Sequence, residues 1–375
     1  MKAILLGRTD RAVDTIPYAQ LFPFFDNKKR LRHELNLHVQ HIEARALDIF
    51  ESVGRQANAD IFFVRPCWRE DPVQVETMVQ ELRHRQPSSQ IIFIDPFDQT
   101  SSRFFGVLPY VDHFLKYQRL KDTSQYHQPL KGGTVLTDYL ARKLGYDLKE
   151  WSVQSTIPEG HESRIKTGWF VTLHKPFQDV LFHQPRFWQR KENIKDIDVF
   201  CHVSYGPRNN LEWYGQHRIL GIEKLKCLAP DYTLSVSGDF SGEQTISSRQ
   251  YSRDIKRSRI AFSPFGWGEI TGRDYEAVCN GCLLIKPSVD HIDTEPNIFI
   301  PGQTYVPVRW DFADLEEKCR YYLTHPDETA QIVYNAREAY RAYFTKHHFV
   351  RKIKSLVYPN TSVEPSTKSL VSASS

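Results

Sequence analysis

Arg273 and Glu276 are spaced to lie one turn apart on a short helix that directly follows a loop rich in glycine. An apolar run, 260–262, precedes the loop, and Gly281 and a second apolar run follow the helix. This order of strand, glycine loop, helix and strand is typical of α/β sheets that present a helix N-terminus to a phosphate. A guanidinium matches phosphate oxygens, and a carboxylate can accept hydrogen bonds from paired sugar hydroxyls. The two residues therefore predict a site for a nucleotide-sugar.

The loop before this helix supplies further candidates for ligand binding. Thr271 and Gly272 should lie at the helix N-terminus, where backbone N–H groups have no partner within the helix. Trp267 either stacks on a base or sugar or anchors the loop. The alternative for the whole segment is a surface helix with an i,i+3 ion pair worth about 0.2–0.5 kcal/mol. The glycines favour the ligand site, for which the predicted donor-binding residues are Gly266, Trp267, Gly268, Thr271, Gly272, Arg273 and Glu276.

The run from Arg273 to Ile285, RDYEAVCNGCLLI, carries a family resemblance. It resembles the donor-site motif R-x-x-E-A-x-x-x-G-x-x-x-I of GT-B glycosyltransferases, and its nearest forms are exostosin-like and CgeB-like (glycosyl transferases group 1). The resemblance implies an α/β protein of GT-B fold, with two Rossmann-like parallel-sheet domains that face each other across a cleft. It also implies that Glu276 holds the ribose of the donor nucleotide.

One position departs from the family pattern. Retaining members of the superfamily carry a second glutamate eight residues before the ribose-binding one, and this chain has Gly268 there. The nearest acid is Glu269, seven residues before Glu276, and we take it as a catalytic candidate. Whether the reaction retains or inverts the anomeric configuration stays open.

If the reaction inverts, a catalytic base should come from the first half of the chain, near strand ends that face the cleft. The candidates are an acid after the first predicted strand, two after the third, and one histidine: Asp10, Asp95, Asp98 and His174. Of these we favour Asp10. In the second half, Arg208 follows a strand in a loop where the superfamily places a cation against the diphosphate, and the alternative is a solvated arginine.

Two motifs suggest metal but fit other roles better. Structural zinc would need a second ligand pair, so Cys279 and Cys282 are predicted to pack in the core. Asp196 and Asp198 imitate a metal-binding D-x-D motif, but they enter a strand where that motif would leave one. We therefore expect no metal and no cofactor, since the nucleotide-sugar is a substrate.

Strands and helices alternate in both halves of the chain, which predicts two domains. We expect an acceptor domain at 1–190 and a donor domain at 191–345, followed by a helix end at 346–358 and a disordered tail at 359–375. Within the first domain the spacing of apolar residues predicts one long helix from Lys28 to Val53.

Composition limits the alternatives. The formal net charge of +4 is compatible with an anionic nucleotide or the inner face of a membrane but is low for a nucleic-acid-binding protein. No apolar run reaches the ~20 residues that span a bilayer, and six scattered cysteines suggest a reducing compartment. We expect a cytoplasmic protein, peripheral to the membrane at most, that binds no nucleic acid.

These observations predict a metal-independent glycosyltransferase that moves a sugar from a nucleotide-sugar to a glycan, a lipid-linked glycan or another hydroxyl acceptor. The alternative is a non-catalytic protein of the same fold that binds a nucleotide or carbohydrate. An NAD-dependent dehydrogenase is disfavoured because residues 7–10 lack the G-x-G-x-x-G spacing after the first strand.

Overall fold

The computed structural model describes residues 1–10, 15–183, 194–206, 212–237 and 246–358. The first half of the chain forms a six-stranded parallel sheet of order β2-β1-β3-β4-β5-β7, and the second half forms a five-stranded parallel sheet of order β13-β11-β10-β8-β9. The strands of the first sheet are β1 (Lys2–Gly7), β2 (His38–Glu43), β3 (Ile61–Arg65), β4 (Gln90–Ile94), β5 (His113–Lys116) and β7 (Ile165–Thr167). Those of the second are β8 (Ile197–Cys201), β9 (Leu234–Val236), β10 (Ser258–Phe262), β11 (Leu283–Pro287) and β13 (Val306–Val308).

Helices cover both sheets, as parallel strands require. The helices of the first domain are α1 (Thr15–Asp26), α2 (Lys28–Leu35), α3 (Leu47–Gln56), α4 (Pro72–Arg85), α5 (Val135–Lys143) and α6 (Lys175–Leu181). Those that follow are α7 (Trp213–Lys226), α8 (Ser248–Lys256), α9 (Gly272–Cys279), α10 (Leu315–Thr324), α11 (Pro326–Thr345) and α12 (His348–Val357). The predicted fold of two parallel-sheet α/β domains is confirmed.

A strand ladder and a helix are among the structures that join the domains. A short antiparallel ladder pairs β6 (Arg119–Leu120) of the first domain with β12 (Ile292–Asp293) of the second. Helix α12 returns to the first domain, where Phe349 packs edge-on against the rings of Phe24 and Trp169 at centroid distances of 5.1 and 4.9 Å. The predicted domain limits stay predictions, and the predicted tail at 359–375 lies outside the described residues.

The predicted helix from Lys28 to Val53 is wrong. The structure has two helices there, α2 and α3, with the edge strand β2 between them, parallel to β1. Helix α2 ends at Asn36, which takes a left-handed conformation at φ 46°. The apolar residues from 35 to 42 fit both a helical and an alternating pattern, and pairing with β1 decides between them, because an isolated helical segment has no such partner.

Helix α4 begins with Pro72 in its first turn, and the Asp71 carboxylate accepts hydrogen bonds from two backbone N–H groups. The segment 151–183 contains the short strand β7 and the helix α6. In the described ranges, no helix is both long enough and apolar enough to cross a membrane.

Candidate active site in the interdomain cleft

A cavity of about 390 Å³ lies where the carboxyl ends of the two sheets face each other. The first domain contributes mainly aromatic side chains and one acid, and the second contributes a cation and the glycine loop. The lining residues used below are Trp68, Phe97, Asp98, Tyr117, Tyr214, Arg218, Gly266, Trp267, Gly268, Thr271 and Gly272. The cavity therefore contains five of the seven loop and helix residues predicted to bind the donor.

The first turn of α9 is fixed by a buried polar cluster. The carboxylate of Asp274 accepts a hydrogen bond from the backbone N–H of Thr271 at 2.9 Å and forms an ion pair with Lys286 at 2.5 Å. The ammonium of Lys286 also donates to the carbonyl of Glu269 at 2.7 Å. Because Asp274 and Lys286 are both fully buried, they hold the loop and the helix N-terminus in one position.

Two guanidinium groups lie near this helix N-terminus. Arg218 donates to the carbonyl of Phe265 at 2.8 Å, and the Nη1 of Arg273 lies 3.4 Å from the Oγ of Ser263. Burial, together with the nearby positive charge of Arg273, lowers the pKa of Arg218 to about 9, so it stays protonated at neutral pH. Neither arginine forms an ion pair with a carboxylate of the described residues, and the buried Nε of Arg273 has no partner. Two guanidiniums without a described carboxylate partner beside a helix N-terminus are an arrangement that could hold an anion.

Arg218 was not singled out from the sequence. It lies in the middle of α7, whose two glycines, Gly215 and Gly221, fall inside the helix and form no phosphate-loop motif, so nothing in the sequence distinguishes it from a solvated arginine. Arg208, the predicted cation from the preceding loop, lies outside the described residues. Among the described residues, Arg273 and Glu276 form no ion pair with each other.

Glu276 lies one turn further along α9 and lines a second cavity of about 240 Å³. Its Oε2 accepts a hydrogen bond from the hydroxyl of Tyr251 at 2.7 Å, while Phe177 from the first domain lies on the same cavity. The hydroxyl of Tyr251 thus orients the half-buried carboxylate from one side. The first turn of α9, which carries Arg273, lies between the two cavities.

The loop glycines permit contacts that no other residue could make. A Cβ atom at Gly266 would lie 2.5 Å from the guanidinium of Arg218, and one at Gly268 would lie 1.8 Å from the carbonyl oxygen of Asp98. A glutamate would not fit at position 268, because the backbone of the first domain occupies the space where its side chain would begin. Trp267 packs against the rings of Trp68 and Trp151, at 5.5 and 4.8 Å, and also lines the cavity.

The two predicted catalytic acids do not line either cavity. Glu269 is fully buried between the domains, with its Oε1 3.4 Å from the Thr100 hydroxyl and 3.7 Å from the Nε2 of His291. Asp10 lies 3.5 Å from Arg45 and 3.7 Å from Arg8 in ion pairs at the surface of the first domain. Their catalytic roles stay predictions.

The other three candidates for the catalytic base differ in whether they line the cavity. Asp95 is buried in an ion pair with Lys116 at 2.8 Å, and burial raises its pKa. His174 begins α6, where its Nδ1 lies 2.8 Å from the carbonyl of Val171. Asp98 lines the large cavity, and burial raises its pKa to about 6.

The residues that suggested metal have other contacts. Asp196 and Asp198 pair with Arg257 and Arg259, the second pair at 3.0 Å. Cys279 and Cys282 are buried free thiols, and burial raises the pKa of Cys279 to about 12, which keeps it protonated. Among the described residues, no group of three or more His, Cys, Asp or Glu side chains could hold a metal ion.

Comparisons with known proteins agree with this architecture. Residues 218–355 match the model of a family described as glycosyl transferase-like. A glycosyltransferase from Rickettsia africae aligns with 96% of this chain and 99% of its own, at 12% identity and a TM-score of 0.54. An alpha-glucosyltransferase solved in complex with UDP aligns with 95% of this chain and 99% of its own, at 7% identity and a TM-score of 0.48. No curated protein matches the sequence.

The matched segment contains Arg218, the glycine loop and α9. The fold is GT-B, as the sequence predicted, and the segment 218–355 is similar to a family described as glycosyl transferase-like, in agreement with the resemblance of its motif. Its assignment to the exostosin-like or CgeB-like form stays a prediction.

Proposed function

We propose that the chain transfers a sugar from a nucleotide-sugar to a hydroxyl of a glycan or lipid-linked glycan, without a metal ion. The observation that carries the donor assignment is the pair of unneutralised guanidiniums, Arg218 and Arg273, at the N-terminus of α9. A diphosphate between them would supply the missing negative charge. Its departure as a leaving group would be stabilised by the same groups, which is how a cationic site replaces a metal ion.

The two cavities would hold different parts of the donor. The ribose hydroxyls would donate to the carboxylate of Glu276 in the smaller cavity, while the sugar would extend into the larger one past Gly272. The phosphates would lie between them, against the first turn of α9. Cations at a diphosphate would serve ground-state binding and would also stabilise the charge that grows on it as it leaves, so the enzyme differs from a simple binder in turnover rather than in affinity.

The acceptor side of the large cavity is aromatic. Trp68, Phe97 and Tyr117 of the first domain face the donor loop, and Trp267 closes the group. Aromatic faces combined with a few polar groups suit the mixed apolar and hydroxylated faces of a sugar ring. This supports a glycan acceptor. Cytoplasmic location and contact with a membrane surface stay predictions.

The test begins with thermal shifts for UDP, GDP, CMP and dTDP, because a ligand of the native state raises its melting temperature. For the nucleotide that binds, calorimetry should show that Glu276→Gln loses about 1.5–3 kcal/mol of affinity, as for a charged hydrogen bond. Glu317→Gln, at an exposed position of α10 in the same domain, is the matched control. Unchanged affinity in a folded Glu276→Gln variant would contradict the assignment.

A further inference from the structure

Asp98 supplies the one carboxylate among the described residues that line the interdomain cavity. It follows β4, so it lies at the carboxyl end of the first sheet, opposite the donor loop. The ionisable groups that share this lining are Arg218, Tyr117 and Tyr214. A single acid across the cavity from the phosphate-binding cations is placed on the acceptor side of the transferred sugar.

The backbone of Asp98 is fixed with respect to both domains. The buried side-chain amide of Gln118 donates to the carbonyl of Asp98 and to that of Ile270, and its oxygen accepts from the N–H of Ile270 at 3.0 Å. Gly268 contacts the same carbonyl. The side chain of Gln118 therefore helps to set the distance between the acid of the first domain and the donor loop of the second.

We propose that Asp98 is the general base that activates the acceptor hydroxyl. This rests on the proposed function. The acceptor oxygen bonds to the anomeric carbon while its proton passes to a carboxylate oxygen of Asp98. The bond from the anomeric carbon to the diphosphate oxygen breaks, and its electron pair leaves with the diphosphate. This direct displacement inverts the anomeric configuration.

The charges around Asp98 suit that role. Burial is the main reason that its pKa rises to about 6; Lys116 opposes the rise, and Glu269 and Asp95 add to it. The carboxylate forms no ion pair with a described residue, unlike that of Asp95, which Lys116 holds at 2.8 Å. A base must be both unpaired and within reach of the proton, and must titrate near the working pH. The carboxylate of Asp98 meets the requirement of being unpaired, whereas that of Asp95 does not.

The experiment compares Asp98→Asn, Asp98→Glu and the wild type in nucleoside-diphosphate release, with an acceptor pool prepared from the native source. Asp98→Asn keeps the side-chain shape but cannot accept the proton, so kcat should fall about 10²–10⁴-fold. Its affinity for the nucleoside diphosphate, measured by calorimetry, should stay unchanged. Asp48→Asn, at an exposed position of α3, is the matched control and should keep full activity.

The pH profile separates a base from a structural acid. In the wild type kcat/KM should fall below pH 6 as Asp98 of the free enzyme becomes protonated, whereas Asp98→Asn should lose that limb and Asp98→Glu should restore it. A folded Asp98→Asn variant with wild-type kcat or with an unchanged acid limb would overturn the proposal. So would a product with the anomeric configuration of the donor. A wild type that binds no nucleoside diphosphate would overturn the proposed function and, with it, this assignment.

Discussion

The α-carbon of Gly268 and the carbonyl oxygen of Asp98 are in contact across the domain boundary, close enough that an added Cβ would lie 1.8 Å from that oxygen. The contact joins the donor loop to the strand end that carries the proposed base. It also explains why the superfamily's second glutamate has no counterpart here, since no side chain can start at this point.

The first prediction tests that contact. Gly268→Ala should force the loop and residue 98 apart, with a stability loss of about 1–3 kcal/mol, as for an overpacked core. It should also lower kcat, because the donor and acceptor groups would no longer meet at the right distance. Gly168→Ala is the control, since its Cβ would be 3.4 Å from the nearest atom, an ordinary contact. Thermal unfolding and steady-state turnover measure the two effects. Wild-type stability and wild-type kcat in Gly268→Ala would show that this contact neither stabilises the protein nor positions the two domains for catalysis.

The second prediction concerns the leaving group. Arg273→Lys keeps the charge but loses the planar fork, so kcat should fall by roughly 10²-fold, as for a lost oxyanion donor, with a smaller loss of nucleotide affinity. The reason is that the charge on the diphosphate grows in the transition state. Arg351→Lys, at an exposed position of α12, should behave as wild type. A loss confined to affinity would assign Arg273 to ground-state binding only.

The third prediction concerns metal. Activity should survive EDTA, because Arg218, Arg273 and the N-terminus of α9 provide the positive charge that Mn²⁺ or Mg²⁺ would otherwise supply. Turnover measured before and after chelation, with added Mn²⁺ as the comparison, decides this. A strict requirement for the ion would contradict the proposal and direct attention to Asp196 and Asp198.

The fourth prediction concerns the buried pair that fixes α9. Lys286→Met leaves the carboxylate of Asp274 buried without its cation, so the free energy of unfolding should fall by about 3–5 kcal/mol. Adding Asp274→Asn should recover part of that loss. The control is Lys175→Met, which breaks an ion pair of similar length at the surface and should leave the free energy of unfolding nearly unchanged, because water screens an exposed pair. Urea unfolding compares the variants; equal losses for Lys286→Met and Lys175→Met would contradict the role of burial.

The sequence predicted the parts of the site that depend on local spacing. Thr271, Gly272, Arg273 and Glu276 were identified because a glycine loop before a helix has few other uses. Arg218 and Asp98 acquire their roles only when distant segments meet: Arg218 lies inside an ordinary helix, and Asp98 was one of four candidates for the base. The error between 28 and 53 has the same origin, since β2 is a strand because it pairs with β1. The local pattern of apolar residues determines most helices and strands. Where that pattern fits both a helix and a strand, contacts with distant segments decide which one forms.

The return of α12 to the first domain makes that domain discontinuous along the chain. A fragment that stopped before His348 would leave the rings of Phe24 and Trp169 without Phe349, and the carbonyl of Leu356 would no longer accept from Gln90. The first domain therefore cannot be exchanged between relatives as one contiguous block of gene sequence. Recombination that replaces this domain has to carry both segments together.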